Sequence, residues 1–509
     1  MLKNKIKLSY FVLIISISNL FLYHLPVYQF TINNLKYEGF DRAFTIISIA
    51  ILLVSLNALV FYIALFISRF IGKSLLVLFV NINAIAIYFI NTYSVIIDKT
   101  MIGNILNTNF EESTSYFSFS FIVYLVLLGI IPSILIIKIK IINVTFKKFF
   151  KHIVFIFIFI ISLIYINSSN WLWIDKNSKA LGGLVMPWSY VVNTYRFYYH
   201  KSQQNQEQIL LPNAKIKDNK KSISVIVIGE SARSENFSLY GYEKETNPLL
   251  SQTDNVYSYK ASSCATYTTA GVKCILEHTN SSKLYEILPN YLFRNNVEVI
   301  WRTTNWGEPN VNIKNYQKRG DLEKLCQGEG CKYDEILLSS LKEQILASKK
   351  DKILIILHTS TSHGPTYYKK YPPKFNKFTP TCKSVELGKC TQEELINAYN
   401  NTIVYTDYIL STLIENLKQL DEYNSSMFYV SDHGESLGEK NLYMHGIPAS
   451  IAPKEQLEIP FIVWLSNNSK ELKNKQALSQ HNVFHSVLDF LAIESPIYDE
   501  NMSIFKSIN

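Results

Sequence analysis

The stretch Ser222-Ile-Ser-Val-Ile-Val-Ile-Gly-Glu-Ser-Ala-Arg233 decides how the larger part of this chain is read. Ser222–Ile228 is a strongly β-branched run of strand length, and Gly229 and Glu230 follow it directly. Similar runs recur at Asn296–Trp301, Lys352–His358, Met427–Ser431 and Phe461–Leu465. Asp334–Lys349 and Glu393–Leu420 read as helices between them. Strands alternating with helices predict an α/β domain over 221–509, with a mostly parallel sheet and helices on both faces. Ligands of such sheets sit beyond the carboxyl ends of strands. Glu230, after the first strand, and Asp432-His433, after the fourth, are therefore candidate site residues.

Upstream the composition changes. Five apolar runs, at about 8–30, 44–67, 74–92, 117–137 and 152–167, predict a five-helix transmembrane domain over 1–168. No small-residue cleavage site follows the first run, which argues against a signal peptide. Lys3, Lys5, Lys7, Arg69, Lys73, Lys138, Lys140, Lys147, Lys148 and Lys151 fall on one side of these spans. The opposite loops mix Lys36, Arg42 and Lys99 with Glu38, Asp41, Asp98, Glu111 and Glu112. The positive-inside bias puts the N-terminus in the cytoplasm and the large C-terminal part outside. Residues 169–220 read as an interfacial bridge and linker, rich in aromatics at Trp171, Trp173, Trp188, Tyr190 and Tyr195–Tyr199, then polar from Gln203. Within the spans His24, Asn57, Asn81 and Asn83 read as structural polar groups. Asn104, Thr108 and Glu112, spaced by four, would share one face of a helix and suit a cationic head group.

The formal charge of +9 is dispersed and accompanies no recognition motif, so nucleic acid is not an expected partner. All six cysteines lie in the external part, in three local pairs: Cys264/Cys274, Cys326/Cys331 and Cys382/Cys390. An even, closely spaced set outside the membrane reads as disulfides.

The chemistry concentrates in three places. Ser431-Asp432-His433-Gly434-Glu435 puts a carboxylate and an imidazole at a strand end. With Glu230 they suit zinc or another divalent transition metal. Between Cys264 and Cys274, or just before, lie Ser262, Ser263, Thr266, Thr268 and Thr269. A metal could activate one of these hydroxyls as a nucleophile, and spacing alone does not choose among them. His363 in Thr361-Ser-His-Gly-Pro365 and His445 in Tyr443-Met-His-Gly446 could donate to phosphate oxygens or move protons.

Taken together, the spans, Val-Ile-Gly-Glu-Ser-Ala-Arg, Ser-Cys-x-Thr-x-Thr, Ser-His-Gly-Pro, Asn397–Asp407, Ser-Asp-His-Gly-Glu and His-Gly resemble one family. It is the bacterial lipid A phosphoethanolamine transferases, membrane members of the alkaline phosphatase/sulfatase superfamily that include colistin-resistance enzymes. The resemblance implies an alkaline phosphatase/sulfatase-like external domain with Thr268 as nucleophile. It implies catalytic zinc on Glu230, Thr268, Asp432 and His433. His363 and His445 would serve the substrate phosphate and any second zinc, and Asn104, Thr108 and Glu112 the head group. Phosphatidylethanolamine would be the donor and lipid A the acceptor, through a phosphothreonine intermediate on a monomeric inner-membrane enzyme that releases diacylglycerol. Departures are Ala265, Ala270-Gly-Val-Lys273 and Pro309, the last standing about where the family often has a lysine. The competing readings are a phosphatidylglycerol-dependent phosphoglycerol transferase, transfer to another envelope glycan or protein, and a non-catalytic envelope scaffold.

Overall fold

The computed structural model of the chain describes residues 5–35, 39–107, 116–166, 173–174, 177–204, 208–281, 283–449, 451–467, 470–474 and 477–506. They form two compact units, Met1–Lys201 and Ser202–Asn509.

The first unit contains four helices long and apolar enough to cross a membrane: Arg42–Ile67, Arg69–Tyr93, Phe119–Lys138 and Phe146–Ile166. The first expected span is not one helix. It is a pair, Leu8–Tyr23 and Leu25–Asn34, bent by 60°, which makes five spans when counted as one. Pro26, in the first turn of the second helix, explains the break, because it lacks the N–H that would carry the helical ladder back to Leu22 O. His24 occupies the bend, donating from Nδ1 to the Asn19 carbonyl (3.0 Å) and accepting at Nε2 from the Met186 N–H (3.2 Å). Asn57 donates to the Asn19 side chain (3.0 Å) and accepts from the Trp188 indole (2.8 Å). Asn81 donates to Ser133 (2.8 Å), and Asn83 accepts from Tyr190 (3.0 Å). Asn104 lies half-buried in the helix Lys99–Asn107, whereas Thr108 and Glu112 fall outside the described residues.

The second unit is built on an eight-stranded sheet. In chain order its strands are β1 (Ser222–Gly229), β2 (Val256–Ser262), β3 (Glu298–Thr303), β4 (Asn315–Lys318), β5 (Lys352–His358), β6 (Asn424–Ser431), β7 (Glu458–Leu465) and β8 (Leu478–Ser479). Their order across the sheet is β8-β2-β7-β6-β1-β5-β3-β4. Only β7 runs against the rest, antiparallel to both β6 and β2. β1 lies between β5 and β6 and is buried along its whole length, as its unbroken apolar run requires in a sheet covered on both faces.

Three local expectations shift. The strand expected at Asn296–Trp301 begins two residues later, because Asn296 takes a positive φ of 69° in the turn before it, a conformation asparagine tolerates. The helix expected over Asp334–Lys349 breaks into a 3₁₀ turn, Asp334–Leu338, and a short helix, Leu341–Leu346, separated at Ser340 (φ 50°). β2 was not anticipated. Its sequence, Val-Tyr-Ser-Tyr-Lys-Ala-Ser, stays largely exposed and shows no clean alternation of apolar and polar residues. The long helix stands close to expectation as α2, Gln392–Lys418. Thr391 caps it, accepting from the Glu394 N–H (3.2 Å) while the Glu394 carboxylate accepts from the Thr391 N–H (2.9 Å).

Candidate metal centre and nucleophile

The register of β1 against its neighbours assembles the site. Gly229 lies opposite Ser431, and Ile228 opposite His358, so the loops leaving β1, β6 and β5 emerge side by side. β2 runs in the same direction and brings the chain to the same edge. Its exit loop is tied down by the Ser263 N–H to Leu457 O (2.8 Å), the Gly446 N–H to Thr266 O (2.8 Å) and the Cys264–Cys274 disulfide. The helix α1, Thr268–Leu276, starts there. A Cβ at Gly271 would stand 2.1 Å from the Asp432 carbonyl oxygen, so glycine is what lets α1 rest on the end of β6.

The structure separates the candidate hydroxyls. Ser263 donates to Ala265 O (2.7 Å) and Thr266 to Ile447 O (2.5 Å), which gives both a structural role; Ser262 is exposed. Thr268 is buried, and its Oγ1 lies 3.4 Å from His433 Nε2.

Around that point the acceptors crowd together. His433 Nδ1 donates to Gly434 O (2.9 Å). A carbonyl can only accept, so the proton sits on Nδ1 and Nε2 presents its lone pair. That lone pair faces Asp432 Oδ2 at 3.3 Å and Glu230 Oε1 at 3.7 Å. Asp432 Oδ1 accepts from the N–H groups of Ser231 (3.0 Å) and His433 (2.7 Å), but Oδ2 is buried without a hydrogen bond. Glu230, His433 and His445 can each offer a ligand atom within 4.8 Å of the others, the one such cluster among the described residues. Burial raises the Asp432 carboxyl well above its usual range and the charge of Glu230 adds to this, while the N–H groups of Ser231 and His433 act in the opposite direction. Burial also resists ionisation of Glu230, yet the facing His363, His433 and His445 hold it down at about 2. Burial lowers His433 to about 4, which keeps it neutral. Two carboxylates and an imidazole lone pair aimed at one another repel unless a cation lies between them. The donor set of carboxylate and imidazole, with one buried oxygen left over, fits a single zinc ion.

The other expected histidines are close by. His445 lies beside His433, its ring tilted by 45° (centroids 4.2 Å apart), and its Nδ1 meets Glu435 Oε2 at 3.1 Å and Ser231 Oγ at 3.3 Å. His445 thus falls within this one ligand cluster, where the resemblance implied a role toward the substrate phosphate and any second zinc. His363 lies one ring further out, 5.5 Å from His445, and donates from Nδ1 to Gly364 O (2.7 Å).

Sequence reasoning missed the groups that hold this set in place. Asn305 donates to Glu230 Oε2 (2.6 Å) and to Thr359 O (2.7 Å), which orients the carboxylate. Gln480 donates to Ser431 O and Asp432 O (2.9 and 2.6 Å) and accepts from the Cys264 N–H (3.0 Å), joining β6 to the loop before α1. Asp334 accepts from Ser360 N, Thr361 Oγ1 and Thr304 Oγ1 and so shapes the loop that carries His363. Ser231, which bonds Glu230 Oε1 at 2.7 Å, is strained at φ 50°. Tyr399 on α2 holds it, donating to Ser231 O (2.7 Å) and accepting from the Arg233 N–H (3.0 Å). Glu435 lies in the Ser-Asp-His-Gly-Glu motif, and Asn305 four residues before Pro309, but nothing local marks either as a support. The remaining disulfides, Cys326–Cys331 and Cys382–Cys390, lie elsewhere in the unit.

Comparison with known proteins agrees with this geometry. Residues 222–493 match the family described as Sulfatase, and residues 53–202 match Phosphoethanolamine transferase EptA/EptB. Phosphoethanolamine transferase EptA of Helicobacter pylori is 41% identical over 421 residues, 79% of each chain. The solved integral membrane lipooligosaccharide phosphoethanolamine transferase A of Neisseria meningitidis superposes with a TM-score of 0.89 at 26% identity, covering 98% of this chain and 99% of that one. The C-terminal periplasmic domain of phosphoethanolamine transferase EptC from Campylobacter jejuni is 37% identical (TM-score 0.52), covering 58% of this chain and 97% of that one. The protein is a multi-pass inner-membrane protein with its catalytic unit in the periplasm. A chain with apolar spans, whose sheet brings carboxylates, imidazoles and the buried Thr268 to a single edge, belongs to the bacterial lipid A phosphoethanolamine transferase family, within the alkaline phosphatase/sulfatase superfamily.

Proposed function

We propose that the chain moves phosphoethanolamine from phosphatidylethanolamine to lipid A, with Thr268 carrying the phosphoryl group between two half-reactions. The observation that bears most weight is the burial of Thr268 Oγ1 3.4 Å from His433 Nε2, at the first residue of α1. The free N–H groups of that helix end favour an anionic phosphoryl group beside the hydroxyl. Glu230, Asp432, His433 and His445 would hold the zinc with Thr268. When bound, zinc supplies charge that lowers the cost of deprotonating the hydroxyl and of building negative charge on phosphoryl oxygens.

In the first half-reaction Thr268 Oγ1, its proton already lost to solvent, bonds to phosphorus and the bond from phosphorus to the glycerol oxygen breaks. His363, the imidazole furthest from the ligand cluster, gives the departing alkoxide its proton, and diacylglycerol leaves. In the second, a hydroxyl or protonated phosphate oxygen of lipid A gives its proton to His363 and bonds to phosphorus, the bond from phosphorus to Thr268 Oγ1 breaks, and the site returns to its starting state. Asn305 and Glu435 position Glu230 and His445 throughout. A monomeric enzyme is part of the same proposal. The division into a 1–168 anchor, a 169–220 bridge and a 221–509 catalytic part is proposed with it, as is a cationic head group on the Asn104, Thr108 and Glu112 stripe.

The test is mass analysis of the purified full-length enzyme and of cellular lipid A, for the wild type and Thr268→Ala. A phosphoethanolamine adduct on residue 268 and modified lipid A are expected for the wild type, and neither for the variant. Full lipid A modification by Thr268→Ala would overturn the reading. Supplying phosphatidylglycerol in place of phosphatidylethanolamine is expected to give no transfer.

A further inference from the structure

The segments on the cytoplasmic side of the spans carry ten cations, from Lys3 to Lys151, and 1–35, 68–73 and 138–151 contain no aspartate or glutamate. The positive-inside bias explains which side these charges occupy, but not why five of them converge. Lys5, Arg69, Lys73, Lys138 and Lys140 line one cleft of about 700 Å³, with Asn143 at its rim. No salt bridge to an acidic side chain neutralises any of the five among the described residues.

Two features make this more than a solvated basic surface. Lys5 and Lys140 are directly opposed in a parallel strand pair, Lys5–Lys7 with Lys140–Ile142, and like charges in register destabilise such a pair. Arg69 and Lys73 lie in the first turns of the helix Arg69–Tyr93, where unpaired N–H groups already concentrate positive potential. Both are held there by backbone. Lys73 Nζ donates to Ile137 O (2.9 Å) and Ile139 O (2.5 Å), and Arg69 donates to Ile141 O (2.7 Å). An ammonium has three N–H donors and a guanidinium five, so N–H groups remain for an outside acceptor. Opposed lysines, cations against a helix dipole and surplus fixed donors are all relieved by one anion seated among them.

We propose that this cleft binds the phosphate head group of an anionic phospholipid of the cytoplasmic leaflet. A bound phosphodiester accepts from Arg69 and Lys73 and bridges Lys5 and Lys140, while its acyl chains follow the exposed apolar side chains of Phe70 and Ile137. The cleft then anchors the membrane unit at the leaflet opposite the catalytic chemistry.

The test uses the full-length protein in a zwitterionic detergent, titrated with dioctanoyl phosphatidylglycerol, dioctanoyl phosphatidylcholine or inorganic phosphate, and read by native mass spectrometry. Phosphatidylglycerol is expected to bind at least tenfold more tightly than phosphatidylcholine and to weaken as salt rises. The exposed pair Lys5→Gln with Lys140→Gln, which touches no backbone carbonyl, is expected to lower that affinity about 10- to 30-fold. Transfer activity in detergent should stay unchanged in the pair. Arg69→Gln is expected to act similarly, and the lysine pair keeps the test open should loss of a carbonyl contact unfold that variant. Equal binding of the two lipids, or unchanged binding by the lysine pair, would overturn the proposal. Inorganic phosphate binding as tightly as phosphatidylglycerol, with the same loss in the lysine pair, would assign the cleft to soluble phosphate and overturn the lipid assignment.

Discussion

Two histidines in this molecule are equally buried and differently employed. His24, at the bend in the membrane unit, gives one ring nitrogen to a backbone carbonyl and the other to a backbone N–H. His433, at the end of β6, gives one nitrogen to a carbonyl and turns the other toward two carboxylates and a hydroxyl. Each sits in a network that includes an amide side chain, Asn57 in one case and Asn305 in the other. The first network is complete as the protein alone makes it. The second is complete only with a cation, and that difference separates a joint from a reaction site.

The contrast is most severely tested at Thr268 and His433. Thr268→Ala is expected to cut transfer by about 10³-fold or more while the fold persists, since the residue acts as a unit with the metal. Residual activity within tenfold of the wild type would place the nucleophile elsewhere. Chelation should abolish transfer, and zinc should restore it, with the thermal midpoint falling and recovering in parallel because the buried acceptors then repel. Asn305→Ala is expected to weaken zinc retention about 10- to 100-fold through loss of orientation of Glu230, measurable by metal content after dialysis. Asn57→Ala is the reverse case. It should cost about 1 kcal/mol of stability, as polar contacts between membrane helices commonly do, and leave zinc content unaltered. A loss of zinc in that variant would break the comparison.

A satisfied network also exists inside the catalytic unit. Asp407 on α2 accepts from the N–H groups of Leu249 (2.8 Å) and Leu250 (3.1 Å), and burial pushes its carboxyl up to about 7. A folded-state value above the unfolded one of about 3.9 means its contribution is full at acid pH. That contribution is lost as pH rises toward 7. Asp407→Asn should therefore flatten the decline of the thermal midpoint over that window by a few degrees at most.

Much of this was legible from residues alone, and the reasons are local. β1, β5 and β6 announce themselves because strands buried on both faces have little choice of composition. Glu230 and Asp432-His433 follow them directly, so finding the strands found the acids. Asn305, Gln480 and Asp334 were invisible because each acts through a partner in another segment, 48 or more residues away for Gln480 against Asp432. β2 was invisible because it is partly exposed, although it is the strand that brings Thr268 to the edge.

From its amino acids the chain establishes a membrane part and a catalytic part, the leaflet that receives the cations, and the acids and imidazoles available for a metal. These follow from hydropathy, charge and strand composition, which are properties of short windows. Tertiary structure alone decided that Thr268, of five hydroxyls, faces His433, and that His445 joins the ligand cluster. Those outcomes depend on register between strands and contacts between segments far apart in the chain, and no window of sequence contains both partners.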